Sequence, residues 1–238
     1  MTSIVWIHGY PHSPEIFEPQ LAIKGYEHIR PDLRDAPGNT MREFAQYVLS
    51  KFDDERAVIA GVSMGGYIAM QILRDAPERV AALILMSTRE TPDDEAGRAA
   101  RMQAIDTIRT QGPKVVTDAL LPKMIVSESL QKEGRKILEA AKPQWMIAAL
   151  QAMADRPDST DTLRDANVPA LIVVGDKDPI TPPRDAERMA ALMRDAELAP
   201  IANASHLANY ERPDQVNHII EAWLARKLSA HARVSATR

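Results

Sequence analysis

Two stretches of this chain, Val80–Met86 and Val168–Val174, are apolar at almost every position. A strand carries apolar side chains on both faces only when both faces are covered, so such runs belong in the middle of a parallel sheet packed between helices. Strand and helix signals alternate around them. Ser3–Ile7 reads as a buried strand that stops at His8-Gly9, Glu27–Arg30 as a short strand before Pro31, Arg56–Ala60 as another, and Glu197–Ile201 as the last. A helix is expected from Asn39 or Thr40 to about Phe52, where Met41, Phe44, Ala45, Val48 and Leu49 fall on one face. Gly65–Asp75, Pro182–Leu192 and Pro213–Leu228 read as further helices, whereas Pro11, Pro14 and Pro19 predict that residues 10–20 stay mostly outside regular structure. Strand then helix, repeated with short connections, is the pattern of a doubly wound, mostly parallel α/β sheet with helices on both faces.

The rhythm breaks once. Between Met86 and Val168 lie roughly eighty residues without a convincing strand. Four amphipathic stretches fill them, Gly97–Gln111, Val115–Leu121, Ser127–Ala141 and Gln144–Ala154, punctuated by Pro113, Pro122, Pro143 and Pro157. A helical excursion of this length that returns to the same sheet is expected to be a cap over its edge. The expected division is therefore a core of residues 1–88 and 168–228, a helical cap insertion of 89–167, and a flexible tail of 229–238.

Composition removes several classes of function. The absence of cysteine excludes disulfides, thiolate zinc sites, iron–sulfur clusters and a cysteine nucleophile. A formal net charge of −4 gives no electrostatic ground for a nucleic-acid partner. No stretch approaches the apolar length of a bilayer span, and the first apolar run is strand-length with no basic residues before it. The expectation is a cytoplasmic protein with a small-molecule substrate and no membrane or nucleic-acid partner; its oligomeric state is not encoded in any pattern found.

The strongest local signal is Gly61-Val62-Ser63-Met64-Gly65-Gly66, between a predicted strand and a predicted helix. A serine on such a sharp turn is held in a strained conformation with its hydroxyl exposed. Gly61 and Gly65 flank it because a Cβ there would collide with the neighbouring strand and helix. The helix points unpaired N–H groups at the site, and the amide of Met64 is the expected first oxyanion donor. The turn is neither a dinucleotide fingerprint, since Ser63 stands where the second glycine belongs, nor a phosphate loop, which needs a lysine.

A serine hydroxyl needs a positioned base, usually histidine. The chain has six. His231 and His218 lie at the C-terminal end, and His8, His12 and His28 precede the serine. His206 alone follows the last predicted strand in a loop, which suits the chain order serine, acid, histidine expected of sheets with this turn. The acid is then sought at the carboxyl end of Val168–Val174, in Gly175-Asp176-Lys177-Asp178-Pro179, where Asp176 and Asp178 both qualify.

Taken together, these segments resemble the α/β-hydrolase superfamily over nearly the whole chain. His8-Gly9-Tyr10-Pro11 resembles its oxyanion loop, Gly61–Gly66 its nucleophile elbow, Gly175-Asp176-Lys177-Asp178 its G-x-x-D acid turn, and Ser205-His206-Leu207-Ala208-Asn209-Tyr210-Glu211-Arg212-Pro213 its histidine loop. The subgroup most resembled is the small capped esterases and lactonases close to 3-oxoadipate enol-lactonase. The resemblance implies an α/β-hydrolase fold of about six strands, the family's first two being absent. It selects Asp178 as the acid beside Ser63 and His206, makes the amide of Tyr10 the second oxyanion donor, and gives His8 a structural role. Two departures stand out: Ser205 replaces a glycine, and Arg34-Asp35-Ala36-Pro37-Gly38 lacks the R-G-x-G form. The implied activity is a serine esterase or lactonase needing no cofactor and no metal, with Trp145, Met146 and Leu150 of the cap walling an apolar pocket. The same triad hosts C–C bond hydrolysis or cofactor-free haloperoxidase and perhydrolase chemistry, and a ligand-binding protein of this fold with little turnover is the reading from another class.

Overall fold

The structure, a computed structural model, describes the backbone of residues 2–139 and 141–235 and the side chains of residues 2–139 and 141–228. Its centre is a single parallel sheet of six strands: β1 (Ser3–Ile7), β2 (Glu27–Ile29), β3 (Ala57–Val62), β4 (Val80–Met86), β5 (Ala170–Gly175) and β6 (Ala196–Ile201), in the order β2-β1-β3-β4-β5-β6. The order reverses at β1, and the carboxyl ends of β1, β3, β4 and β5 all open on one edge, where ligands bind in such sheets.

Side chains leave each strand alternately, so the sheet separates two apolar layers. Val5, Ile7, Ile59, Leu83, Leu85 and Ile172 face one way. They meet α1 (Met41–Leu49), α2 (Met64–Asp75) and α8 (Pro183–Leu192), the last of which contributes Ala186 and Met189. Ile4, Trp6, Val58, Ala60, Ile84 and Val173 face the other way, against Val216, Ile220, Trp223 and Leu224 of α10 (Pro213–Ser235). The expected doubly wound sheet is thus present with both faces covered. Thr40, not Asn39, caps α1: its hydroxyl accepts the N–H of Glu43, and the Glu43 carboxylate accepts the N–H of Thr40.

Residues 10–20 depart from expectation. Pro14–Ala22 form a 3₁₀ helix despite Pro14 and Pro19. Proline is tolerated where its missing N–H is not needed, and burial of Ile16 and Phe17 decides the matter, Phe17 lying 5.2 Å from the Trp6 ring.

Between β4 and β5 the chain forms α3 (Glu95–Gln111), α4 (Pro113–Met124), α5 (Glu128–Glu139), α6 (Pro143–Ala154) and α7 (Thr160–Arg164). The four amphipathic stretches match α3 to α6; α7 is too short for periodicity to reveal. A last short helix, α9 (Ala208–Glu211), follows β6. The expected tail, 229–238, falls on side chains and terminal positions outside the described residues, although α10 carries its backbone to Ser235. Among the described residues no helix is long and apolar enough to cross a membrane.

Candidate active site

Ser63 lies between β3 and α2 with φ 55° and ψ −117°, a positive-φ conformation that costs a non-glycine residue of order 1–3 kcal/mol. The surroundings hold it there. Its N–H donates to the Met86 carbonyl at 2.9 Å, and its own carbonyl accepts from Gly66 N–H and from the Thr88 hydroxyl, each at 2.9 Å. Both flanking glycines are required. A Cβ on Gly61 would strike the backbone of Gly65, and one on Gly65 would strike the Ile7 carbonyl. Met64 is the first residue of α2, so its N–H has no intrahelical acceptor.

The loop after β1 presses against this turn. A Cβ on Gly9 would lie 2.8 Å from the Val62 carbonyl oxygen and 3.0 Å from Ser63 Cβ. His8 is fully buried and fixes the loop: its Nε2 accepts the Leu33 N–H at 2.9 Å, which leaves Nδ1–H to donate to the Gly9 carbonyl at 3.0 Å. Next to it Asp32 accepts the Arg34 N–H and pairs with its guanidinium, at the start of the segment that departs from the R-G-x-G form.

His206 is also fully buried. Its Nδ1 lies 2.9 and 3.1 Å from the two carboxylate oxygens of Asp178. Asp178 further accepts the backbone N–H groups of Ile180 and Thr181 and the Thr181 hydroxyl, at 2.8, 3.0 and 2.7 Å. Burial alone would raise its pKa. The imidazole and these hydrogen bonds outweigh that and hold the carboxyl below its ordinary value. Asp176 is exposed.

The Nε2 of His206 is buried without a hydrogen-bond partner. His206 and Ser63 both line a cavity of about 290 Å³. The sequence-predicted residues thus gather as follows: acid and base are hydrogen-bonded, base and serine meet at one cavity without a hydrogen bond between them, and Tyr10 joins them in its lining. Burial raises the Tyr10 phenol above its ordinary pKa, and its hydroxyl has no partner.

The pocket wall needs correction. Leu150 lines the cavity, with Met153 beside it on α6. Trp145 and Met146 do not. They belong to the buried core, the Trp145 ring lying tilted at 5.7 Å from the His8 ring and 6.1 Å from that of Tyr10. Apolarity on a predicted helix could not tell the cavity-facing stripe from the core-facing one.

The sequence reading also missed the charges in the lining. Arg89, Asp93 and Arg101 all border the cavity. Asp93 pairs with Arg101 and, at 2.8 Å, with Arg156; burial opposes its ionisation, but the two guanidinium groups bring its pKa down to about 2. Arg89 follows β4 by three residues, and the rule that sites gather at the carboxyl ends of strands was the available signal. Among the described residues no group of three His, Asp or Glu side chains is placed to hold a metal ion.

A family model described as "Alpha/beta hydrolase family" matches residues 4–219. This chain belongs to the alpha/beta hydrolase family. It is 30% identical to the AB hydrolase superfamily protein YisY of Bacillus subtilis over 91% of its own length and 89% of that protein. The esterase of Thermogutta terrifontis, solved with malate bound, superposes with a TM-score of 0.87 at 29% identity, covering 95% of this chain and 90% of that one. A more distant member, 3-oxoadipate enol-lactonase 2 of Acinetobacter baylyi, is 23% identical over 72% of this chain and 64% of its own. Within the alpha/beta hydrolase family, then, this chain has esterase and lactonase relatives, as its motifs implied.

Proposed function

We propose that this alpha/beta hydrolase is a serine hydrolase that cleaves a small carboxylic ester or lactone through an acyl-enzyme. One observation carries the reading: Asp178 engages Nδ1 of His206, whose Nε2 has no hydrogen-bond partner among the described residues, and His206 lines the same cavity as Ser63.

In this reading Ser63 Oγ attacks the substrate carbonyl and its proton passes to His206 Nε2. Asp178, an ionised carboxylate against Nδ1, fixes the tautomer and stabilises the imidazolium that results. The amides of Met64 and Tyr10 receive the oxyanion, each such donor contributing about 3 kcal/mol to the transition state. The imidazolium then protonates the leaving alkoxide. Water enters, gives its proton to the same nitrogen and releases the acid, with Ser63 restored. For a lactone the leaving oxygen stays tethered to the acyl group. The chemistry calls on no cofactor.

Helices α3 to α7 serve as the cap in this scheme. Leu120, Met124, Leu150 and Met153 supply the apolar wall and exclude water from the acyl-enzyme. The Thermogutta terrifontis esterase, similar over nearly the whole chain, supports ester cleavage.

The test is a panel of p-nitrophenyl esters and small lactones with the wild type and Ser63→Ala. Loss of the serine should lower kcat by roughly a thousandfold or more with circular dichroism unchanged. Turnover that survives the substitution, or no turnover of any ester or lactone by the wild type, defeats the proposal.

A further inference from the structure

The charged groups around Arg89, at the cavity wall, do not balance. Two ion-pair clusters stand there: Arg101–Asp93–Arg156, and Arg188 between Glu90 and Asp185. Arg89 lies among them and makes no ion pair among the described residues. Four guanidinium groups therefore accompany three carboxylates, and the surplus cation lines the cavity. Its electrostatic neighbours are the Tyr67 hydroxyl, Asp185 and Asp93, and both acids are already engaged by other arginines. The Arg89 Nε is buried with no hydrogen-bond partner.

A guanidinium left half-desolvated without a counter-ion is costly, and it is costly in a geometry that suits one kind of ligand. Its planar fork matches a carboxylate by two parallel N–H···O bonds. The Tyr67 hydroxyl accepts a hydrogen bond from this guanidinium, but a neutral phenol supplies neither the counter-charge nor the second acceptor that the fork can take. Elsewhere the cavity lining is apolar, at Val116, Leu120 and Leu150. A substrate with a short apolar chain between the scissile carbonyl and a terminal carboxylate satisfies both parts of the lining at once.

We propose that Arg89 is the anchor for a carboxylate carried by the substrate, so that the preferred esters or lactones are anionic ones. This rests on the serine-hydrolase reading for turnover, but not for binding.

The test compares mono-p-nitrophenyl glutarate with p-nitrophenyl hexanoate, acyl chains of similar length ending in a carboxylate or a methyl. The wild type is expected to favour the glutarate ester at least about tenfold in kcat/KM, chiefly through KM, because a charge-assisted pair is worth about ten- to a hundredfold in binding. Arg89→Gln should lower that preference by a similar factor, and Arg89→Lys should keep part of it. Free glutarate should bind Ser63→Ala by calorimetry, far more tightly than the neutral glutaramide. This last arm needs no turnover, so an inactive enzyme that still binds glutarate upholds the anchor while defeating the catalytic reading. Equal preference for the two esters, an unchanged ratio in Arg89→Gln, or equal binding of glutarate and glutaramide overturns the proposal. The wild-type comparison and the calorimetry decide it even if Arg89→Gln does not fold.

Discussion

The backbone N–H of Ser205 donates to Glu211 Oε2 at 2.7 Å, while the other oxygen of Glu211 accepts the backbone N–H of Ser127 at 3.0 Å. One buried carboxylate thereby ties the turn bearing His206 to the start of α5. The Ser205 hydroxyl adds a bond to the Lys123 carbonyl at 2.8 Å, so the residue that departs from the family pattern gains a second tether to the same helical region. The Asp178–His206 contact depends on where that turn sits.

Glu211→Gln keeps one acceptor but turns an amide N–H₂ toward the other donor. The substitution should cost about 2 kcal/mol, since hydrogen bonds to charged groups contribute roughly 1.5–3 kcal/mol each. Urea unfolding measures that loss, and ester kinetics should show a lower kcat with KM little moved. A kcat equal to wild type would mean the histidine turn is held by other contacts.

The two candidate acids separate cleanly. Asp178→Asn leaves the ring geometry but removes the charge that selects the tautomer, and should lower kcat by three to four orders of magnitude, roughly the loss seen when a triad aspartate is replaced. Asp176→Asn, at an exposed site, should change it less than about twofold. A larger loss at Asp176 would reverse the assignment.

What could be read without coordinates was whatever a short segment decides for itself. The elbow was legible because its glycines and serine stand together in one short motif between a strand and a helix, although the contacts that demand them, with Ile7, Met86 and Thr88, come from distant segments. The central strands were legible because burial on both faces leaves no polar position. Asp178 was legible only through its spacing in a known pattern; nothing local distinguishes it from Asp176, and only the approach of His206 does. The 3₁₀ helix at Pro14–Ala22 was not legible, since the contact of Phe17 with Trp6 that stabilises it is tertiary. Nor were Trp145 and Met146, whose side of α6 is set by how the helix packs rather than by its own period. The surplus charge at Arg89 emerges only when partners from four distant segments are counted.

Asp93 predicts an acid-sensitive edge to the cavity. Its folded pKa is about 2 against an ordinary 3.8, so the unfolded chain takes up the proton first as pH falls. Its contribution to stability is complete above about pH 4 and is lost between there and about pH 2. Asp93→Asn should lose stability at neutral pH and show a shallower decline across that window in a thermal-melt series. An identical decline in both proteins would assign the acid sensitivity elsewhere.

His12 predicts a dependence of the same sign, at milder pH. It is fully buried, neither ring nitrogen has a partner, and burial, reinforced by the nearby His206 and His8, pushes its pKa well below 6.5. The folded state keeps this ring neutral while the unfolded chain protonates it below about pH 6.5. Stability must then fall as pH drops through that value, by up to about 1.4 kcal/mol per pH unit for one such proton. His12→Leu removes both the titration and two unsatisfied buried nitrogens, so the variant should match or exceed the wild type near neutrality and hold more of its stability at about pH 5.5. Urea midpoints at the two pH values measure the difference. Parallel losses in wild type and variant would show that His12 gains a proton, or a partner, inside the folded protein.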